Sequence, residues 1–206
     1  MKKHVLLAAA LCMIAVMATA CGSKHTQTQE TAAETQTGDT TAESESGKIL
    51  VVYYSASGTT KRVATAIADA TGADLYEITP VEPYTSDDLN WTNSSSRVSR
   101  EHDDESLRDI ALTEITPTDW DSYDTVLIGY PIWWNLAPRI IDTFIETHRL
   151  AGKTLIPFAT SGGSGITNSV GALKKAYPDL NWKEGKLLNR MDENGIREWI
   201  GKTSKD

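Results

Sequence analysis

The run Ile-Leu-Val-Val-Tyr-Tyr at residues 49–54 is apolar or aromatic at every position. Such a strand needs cover on both faces, which a hairpin with one wet face does not supply. Two further runs repeat it, Thr-Val-Leu-Ile-Gly at 125–129 and Thr-Leu-Ile-Pro-Phe-Ala-Thr at 154–160. Helical stripes lie between and after them. Val63, Ala64, Ile67, Ala68 and Ala70 precede Gly72, and Ile140, Ile141, Phe144, Ile145 and His148 follow Pro138. Ile166, Val170, Leu173 and Tyr177 make a third stripe. The spacing of three or four is that of one helix face. Gly72 stands where a left-handed C-terminal cap belongs, and Pro138 where a helix start tolerates proline. Residues 73–79 predict a short strand, and 181–189 with 193–200 a last strand and short helix. Strands alternating with helices require right-handed crossovers, so the expected class is α/β, a doubly wound parallel sheet covered on both faces. Pro157 is the misfit, since a central strand uses the N–H that proline lacks. Residues 81–118 break the alternation. Long irregular excursions in compact domains tend to be functional, so this one is expected near the ligand, with a short helix in its polar part.

Charge and cysteine usage narrow the function classes. The 206 residues include 20 Lys+Arg and 28 Asp+Glu, a formal charge of −8. A chain this acidic lacks the basic face that nucleic-acid binding requires, so no such partner is expected. Two cysteines exclude a disulfide scaffold and every Cys-cluster metal site. His4, His25, His102 and His148 are scattered along the chain, and no metal is expected.

The N-terminus reads as an address. Lys2 and Lys3 precede an uncharged stretch, residues 5–20, too short to span a bilayer comfortably and flanked as a secretory signal is. It ends Ala18-Thr19-Ala20-Cys21, which resembles the lipobox of bacterial lipoproteins. In that family the cysteine thiol receives a diacylglycerol and becomes the mature N-terminus; Ala18 departs from the commoner leucine. Residues 22–47 contain no Val, Ile, Leu or aromatic residue. They cannot bury enough apolar surface to offset ordering, and are expected to be a disordered spacer. The division is thus a signal peptide at 1–20, lipidated Cys21 with a linker at 21–47, and a folded domain at 48–206. The resemblance implies a lipid anchor at the extracytoplasmic face of a bacterial cell membrane.

Ligands of open α/β sheets lie beyond the carboxyl ends of the strands. The loop after Tyr54 reads Ser55-Ala56-Ser57-Gly58-Thr59-Thr60. Hydroxyls and a glycine before a helix start suit a phosphate, although a polar capped turn reads the same way. Neither the Walker spelling nor Gly-x-Gly-x-x-Gly is present in this loop. The loop after Gly129 carries Pro131, Ile132, Trp133 and Trp134. Adjacent tryptophans suit a flat aromatic ligand, with one of the two expected to plug the core instead. The third loop, Thr160, Ser161, Gly162, Gly163, Ser164 and Gly165, offers bare amides to a ligand edge. A hydrolase reading of it fails, because Ile166 breaks Gly-x-Ser-x-Gly and no histidine follows His148.

Ser-x-Ser-Gly-x-Thr at 55–60 is similar to the Thr/Ser-x-Thr/Ser-Gly-x-Thr loop of flavodoxins. With GYPIWW at 129–134, PFATSGGSG at 157–165 and NSSSRVSREH at 93–102, the chain resembles the flavodoxin-like FMN proteins, in their bacterial secreted-lipoprotein branch. The resemblance runs from Lys48 to about Ile200. It implies a flavodoxin-like five-stranded sheet of order 2-1-3-4-5. It implies that Ser55, Ser57, Gly58, Thr59 and Thr60 hold the FMN phosphate. Pro131 to Trp134 and Thr160, Ser161, Gly162 and Gly163 would then flank the isoalloxazine. Asp109 follows Arg108 where many relatives have proline. Ile132 and Trp133 stand in the loop where electron-carrying flavodoxins often place a glycine. The function implied is electron transfer through bound FMN to a redox partner protein or small electron acceptor, with no catalytic side chain nominated. An FMN-dependent NAD(P)H:quinone or nitro reductase stays open, as do a non-redox binding module on this fold and a homodimer.

Overall fold

The computed structural model describes residues 47–107, 109–113, 116–189 and 192–203. The signal peptide, Cys21 and the linker up to residue 46 lie outside them, as does Arg108. In chain order the elements are β1 (Lys48–Tyr53), α1 (Thr59–Thr71), β2 (Asp74–Glu77), α2 (Arg97–Asp103), β3 (Tyr123–Pro131) and α3 (Arg139–Thr147). Then follow β4 (Thr154–Thr160), α4 (Thr167–Ala176), β5 (Asn181–Trp182), β6 (Lys186–Leu187) and α5 (Glu193–Thr203). The three apolar runs are β1, β3 and β4, the inner strands of one parallel sheet ordered β2-β1-β3-β4-β5. The expected order holds, and the flavodoxin-like α/β fold with it.

The fifth position is filled in two pieces, which disposes of the proline problem. β5 pairs with Thr154 and Leu155 of β4, and β6 pairs with Phe158 and Ala159. Leu155 O accepts the Lys183 N–H at 2.8 Å, and Ala159 O accepts the Leu188 N–H at 2.8 Å. Backbone groups alternate sides along a strand, so Pro157 faces the gap between the two pieces, where no ladder acceptor waits for an N–H. Gly185 fits that gap because a Cβ there would stand 2.7 Å from a Val170 methyl and 3.2 Å from Pro157 O.

Strand alternation sends successive side chains to opposite faces. Val51, Tyr53, Leu127 and Phe158 pack against Val63 and Ile67 of α1 and Ile196 and Trp199 of α5. Leu50, Val52, Val126 and Ile128 pack against Ile140, Ile141 and Phe144 of α3. Each fully buried side chain of this size contributes about 1.5–3 kcal/mol by leaving water. The stripe of α1 ends at Gly72, whose φ of 70° lets its N–H return to Ala68 O at 2.8 Å. Among the described residues no helix is long and apolar enough to cross a membrane.

The excursion between β2 and β3 leaves and returns through a short antiparallel neck. Val81 N–H reaches Ala111 O at 2.8 Å, and Thr113 N–H reaches Thr79 O at 2.9 Å. Inside it α2 starts at Ser96, whose side chain accepts the Ser99 N–H. Ile110 N–H donates to Thr143 Oγ1 at 3.0 Å and Arg139 Nε to Glu101 O at 2.9 Å, so the excursion is fastened to α3.

Candidate functional site

The loop between β1 and α1 has the features of an anion cradle. Gly58 holds φ 81° and ψ −9° at the start of α1, and no side chain caps the helix. Its first amides and positive dipole end therefore face outward unpaired. Nothing lies within 4 Å of a Cβ built on Gly58, so the need for glycine there is conformational, not a matter of room. Ser55 Oγ is buried and has no hydrogen-bond partner. A polar atom in that state is costly unless something completes it. Ser57 Oγ and Thr59 Oγ1 stand 3.4 Å apart on the exposed side. Thr60 differs from its neighbours: it is buried and its hydroxyl lies 2.8 Å from that of Thr160. That bond fastens the first loop to the end of β4, leaving Thr60 its amide to offer an anion. Lys61 is paired with Glu77 at 2.8 Å, and Glu77 also accepts the Tyr53 hydroxyl at 2.9 Å. An anion here would rest on hydroxyls and amides.

A cleft of about 510 Å³, a size ordinary for a small-molecule site, includes in its lining Ser161, the neighbour of the Thr160 that Thr60 touches. Ile132, Trp133 and Trp134 line one side, residues 161–164 another, and Leu89, Trp91 and Val98 of the excursion a third. Trp133 and Leu136 exchange N–H···O bonds of 3.0 and 2.9 Å around Trp134 and Asn135, whose φ values are 51° and 63°. This is the two-residue turn in which both central residues are left-handed, natural for Asn and strained for Trp. The strain divides the tryptophans. Trp133 packs edge-on against Tyr54, with centroids 5.8 Å apart, and against Tyr84 at 5.1 Å, as part of the core. Trp134 is 41% exposed, with one face on His102 at 5.0 Å and an edge toward Trp91 at 6.2 Å. Both line the cleft, and the core-plugging role falls to Trp133. Pro131 and Thr160 are paired at the ends of β3 and β4, and Ile132 N–H bonds Thr160 O at 2.8 Å.

The third loop is less bare than its glycines imply. Ser161 Oγ accepts the amides of Gly163 at 3.1 Å and Ser164 at 2.8 Å, and the Asn189 side chain bonds both backbone groups of Ser161. Beneath Trp133 lies a buried charged group. Glu101 accepts Arg97 Nε at 2.7 Å and the Tyr84 hydroxyl at 2.6 Å, and the Arg97 guanidinium lies 3.8 Å over the Tyr84 ring. Burial, with the Glu101 carboxylate beside it, pushes the Tyr84 phenol far above its ordinary value, so Tyr84 is the donor in that pair. Asn189, Tyr84, Glu101, Leu89, Trp91 and Val98 were not singled out by the sequence. All but Asn189 lie in the excursion expected near the ligand, and Val98 and Glu101 fall within NSSSRVSREH. Among the described residues no group of three or more His, Cys, Asp or Glu could hold a metal ion.

Residues 48–203 match the flavodoxin family. No curated protein matches the chain. Among solved structures, a candidate flavoprotein from Bacteroides eggerthii is 57% identical with a TM-score of 0.74, over 77% of this chain and 98% of that one. Another from Bacteroides uniformis is 49% identical with a TM-score of 0.71, over 75% and 98%. A flavoprotein from Lactobacillus acidophilus, solved in complex with FMN, shares 24% identity and a TM-score of 0.57 over 75% and 99%, a likeness of fold.

Proposed function

The chain belongs to the flavodoxin family, and from that premise we propose that it is an FMN-dependent redox protein tethered through Cys21 at the extracytoplasmic face of a bacterial cell membrane. The observation that carries the FMN reading is the buried, partnerless Ser55 hydroxyl in the loop before the uncapped start of α1. A phosphate there would take up that hydroxyl, those of Ser57 and Thr59, and the first amides of α1. Lys61, which directly follows the loop, is held by Glu77. The cleft would take the flat ring system, with Trp134 and the open backbone of Gly162 and Gly163 as walls. The Lactobacillus acidophilus flavoprotein, of the same fold, holds FMN. When bound, FMN supplies the redox chemistry, and the protein's part is binding, orientation and exclusion of water.

The cleft lining contains no Asp, Glu, His, Lys, Arg or Cys. The polar side-chain groups among the lining residues are the Ser161 and Ser164 hydroxyls and the indole N–H groups, and in this reading the flavin itself carries the redox chemistry. The acceptor is then a redox partner protein or a small molecule that reaches the cleft where Trp91 and Trp134 are exposed. Titrating flavin-free protein with FMN and with riboflavin, followed by flavin fluorescence, tests the site: FMN should bind more tightly. Equal affinities would remove the phosphate from the loop at 55–60.

A further inference from the structure

The loop at residues 161–165 holds three glycines, and such a segment loses much conformational freedom when it orders. Two layers of polar contact order it. Ser161 N–H donates to Asn189 Oδ1 at 2.8 Å, and Asn189 Nδ2 donates to Ser161 O at 2.7 Å. The peptide planes on both sides of Ser161 are thereby held. Ser161 Oγ in turn accepts the amides of Gly163 and Ser164, which curls the loop.

The register of the sheet places Asn189 there. β6 pairs Phe158 with Lys186 and Ala159 with Leu187, so two residues further on Asn189 stands beside Ser161. Leu188 is buried and its N–H bonds Ala159 O at 2.8 Å, which anchors the approach. The Asn189 carboxamide continues the ladder with a side chain where backbone pairing stops. Gly162 and Gly163, the residues so positioned, line the cleft opposite the tryptophans and have nothing within 4 Å of a Cβ built on either. The Asn189 hydrogen bonds go to Ser161 and not to residues 55–60.

Resting on the FMN reading above, we propose that Asn189 is a positioning residue for the isoalloxazine-binding loop: it sets the Gly162 and Gly163 backbone against the ring and leaves the phosphate end alone. Asn189→Ala removes both bonds. Asn189→Asp keeps an acceptor for the Ser161 N–H but turns an oxygen toward Ser161 O. Flavin-free wild type and both variants would be titrated with FMN and with riboflavin, and the visible absorption band of the bound flavin recorded. Each variant should lose about tenfold in affinity, as for one or two hydrogen bonds of ordinary worth, and lose it equally for the two flavins. The ratio of FMN to riboflavin affinity should keep its wild-type value while the band moves toward that of free flavin. Ser55→Ala should instead shrink the ratio. A purely structural role would lower the unfolding temperature yet leave the band and affinity of the folded fraction unchanged. That result, or a loss confined to FMN, overturns the proposal. A wild type that takes up neither flavin overturns the FMN reading and this inference together, so the wild-type titration separates the two failures.

Discussion

Ser55 and Gly58 are held in states that a free protein gains nothing from. The Ser55 hydroxyl is buried without a partner, and Gly58 is left-handed with empty space on the side where a Cβ would lie. Ser55→Ala should therefore leave the unfolding midpoint of flavin-free protein unchanged or raise it, since an uncompensated buried hydroxyl costs about 1–3 kcal/mol. The same change should weaken FMN binding, and opposite signs in melting and titration are the signature of a ligand-completed atom. Gly58→Ala should cost about 1–2 kcal/mol of stability through its positive φ, and a larger residue little more, because crowding is not the obstacle. His148 makes a pH argument at the same scale. Its Nδ1 lies 2.7 Å from Phe144 O, its Nε2 has no partner, and burial lowers its pKa below the ordinary 6.5. As pH falls through 6.5 the unfolded chain takes up a proton that the folded one refuses, so stability present above that pH is lost progressively down to the folded pKa. His148→Phe should flatten that part of a urea-midpoint profile between pH 7 and 5; an unchanged slope would mean that the imidazole is not the source.

At the scale of elements, what could be read from the sequence was whatever repeats with a period. β4 spans residues 154–160 as the apolar run did, and the stripes of α1, α3 and α4 each lie on a buried face. β5 and β6 have two residues each, too few for any period, and together they explain why Pro157 is tolerated. The excursion was legible only in part, its short helix and its place beside the cleft being expected and its fastening not. Its stability comes from single contacts across sequence distance, the Glu101–Arg97–Tyr84 group and the neck at Pro80 and Leu112, which leave no pattern in the residue order. The three site loops were legible because strand ends and glycines mark them. The Asn189 clamp was not, since its partner lies 28 residues away. The two-residue turn decides between the tryptophans. Trp133→Ala opens the core between Tyr54 and Tyr84 and should cost about 3–5 kcal/mol of stability, less to the extent that the ring is only partly buried. Trp134→Ala relieves a left-handed bulky residue and removes an exposed face, so stability should hold while flavin affinity falls and flavin emission recovers. Reversed phenotypes, read by denaturant midpoint and fluorescence titration, would exchange their roles.

At the scale of the whole molecule, the proposed membrane tether and the acidity of the chain oppose each other. A chain of formal charge −8 is repelled by anionic lipid surfaces, which attract clustered Lys and Arg. Net charge thus works against electrostatic attachment, and the tether we propose is a covalent lipid. Cys21 is the candidate acceptor, and the two chains of a diacylglycerol suffice for stable anchoring where one would not. Wild type should thus fractionate with membranes and stay there through a high-salt wash, which strips charge-held proteins but not acylated ones. Cys21→Ser should be released even at low salt, and should bind FMN with wild-type affinity because the site lies wholly within residues 48–203. Recovery of the wild type in the soluble fraction would end the anchor reading while leaving the flavin site untouched, and release by salt alone would put the attachment on charge against every sign this sequence carries.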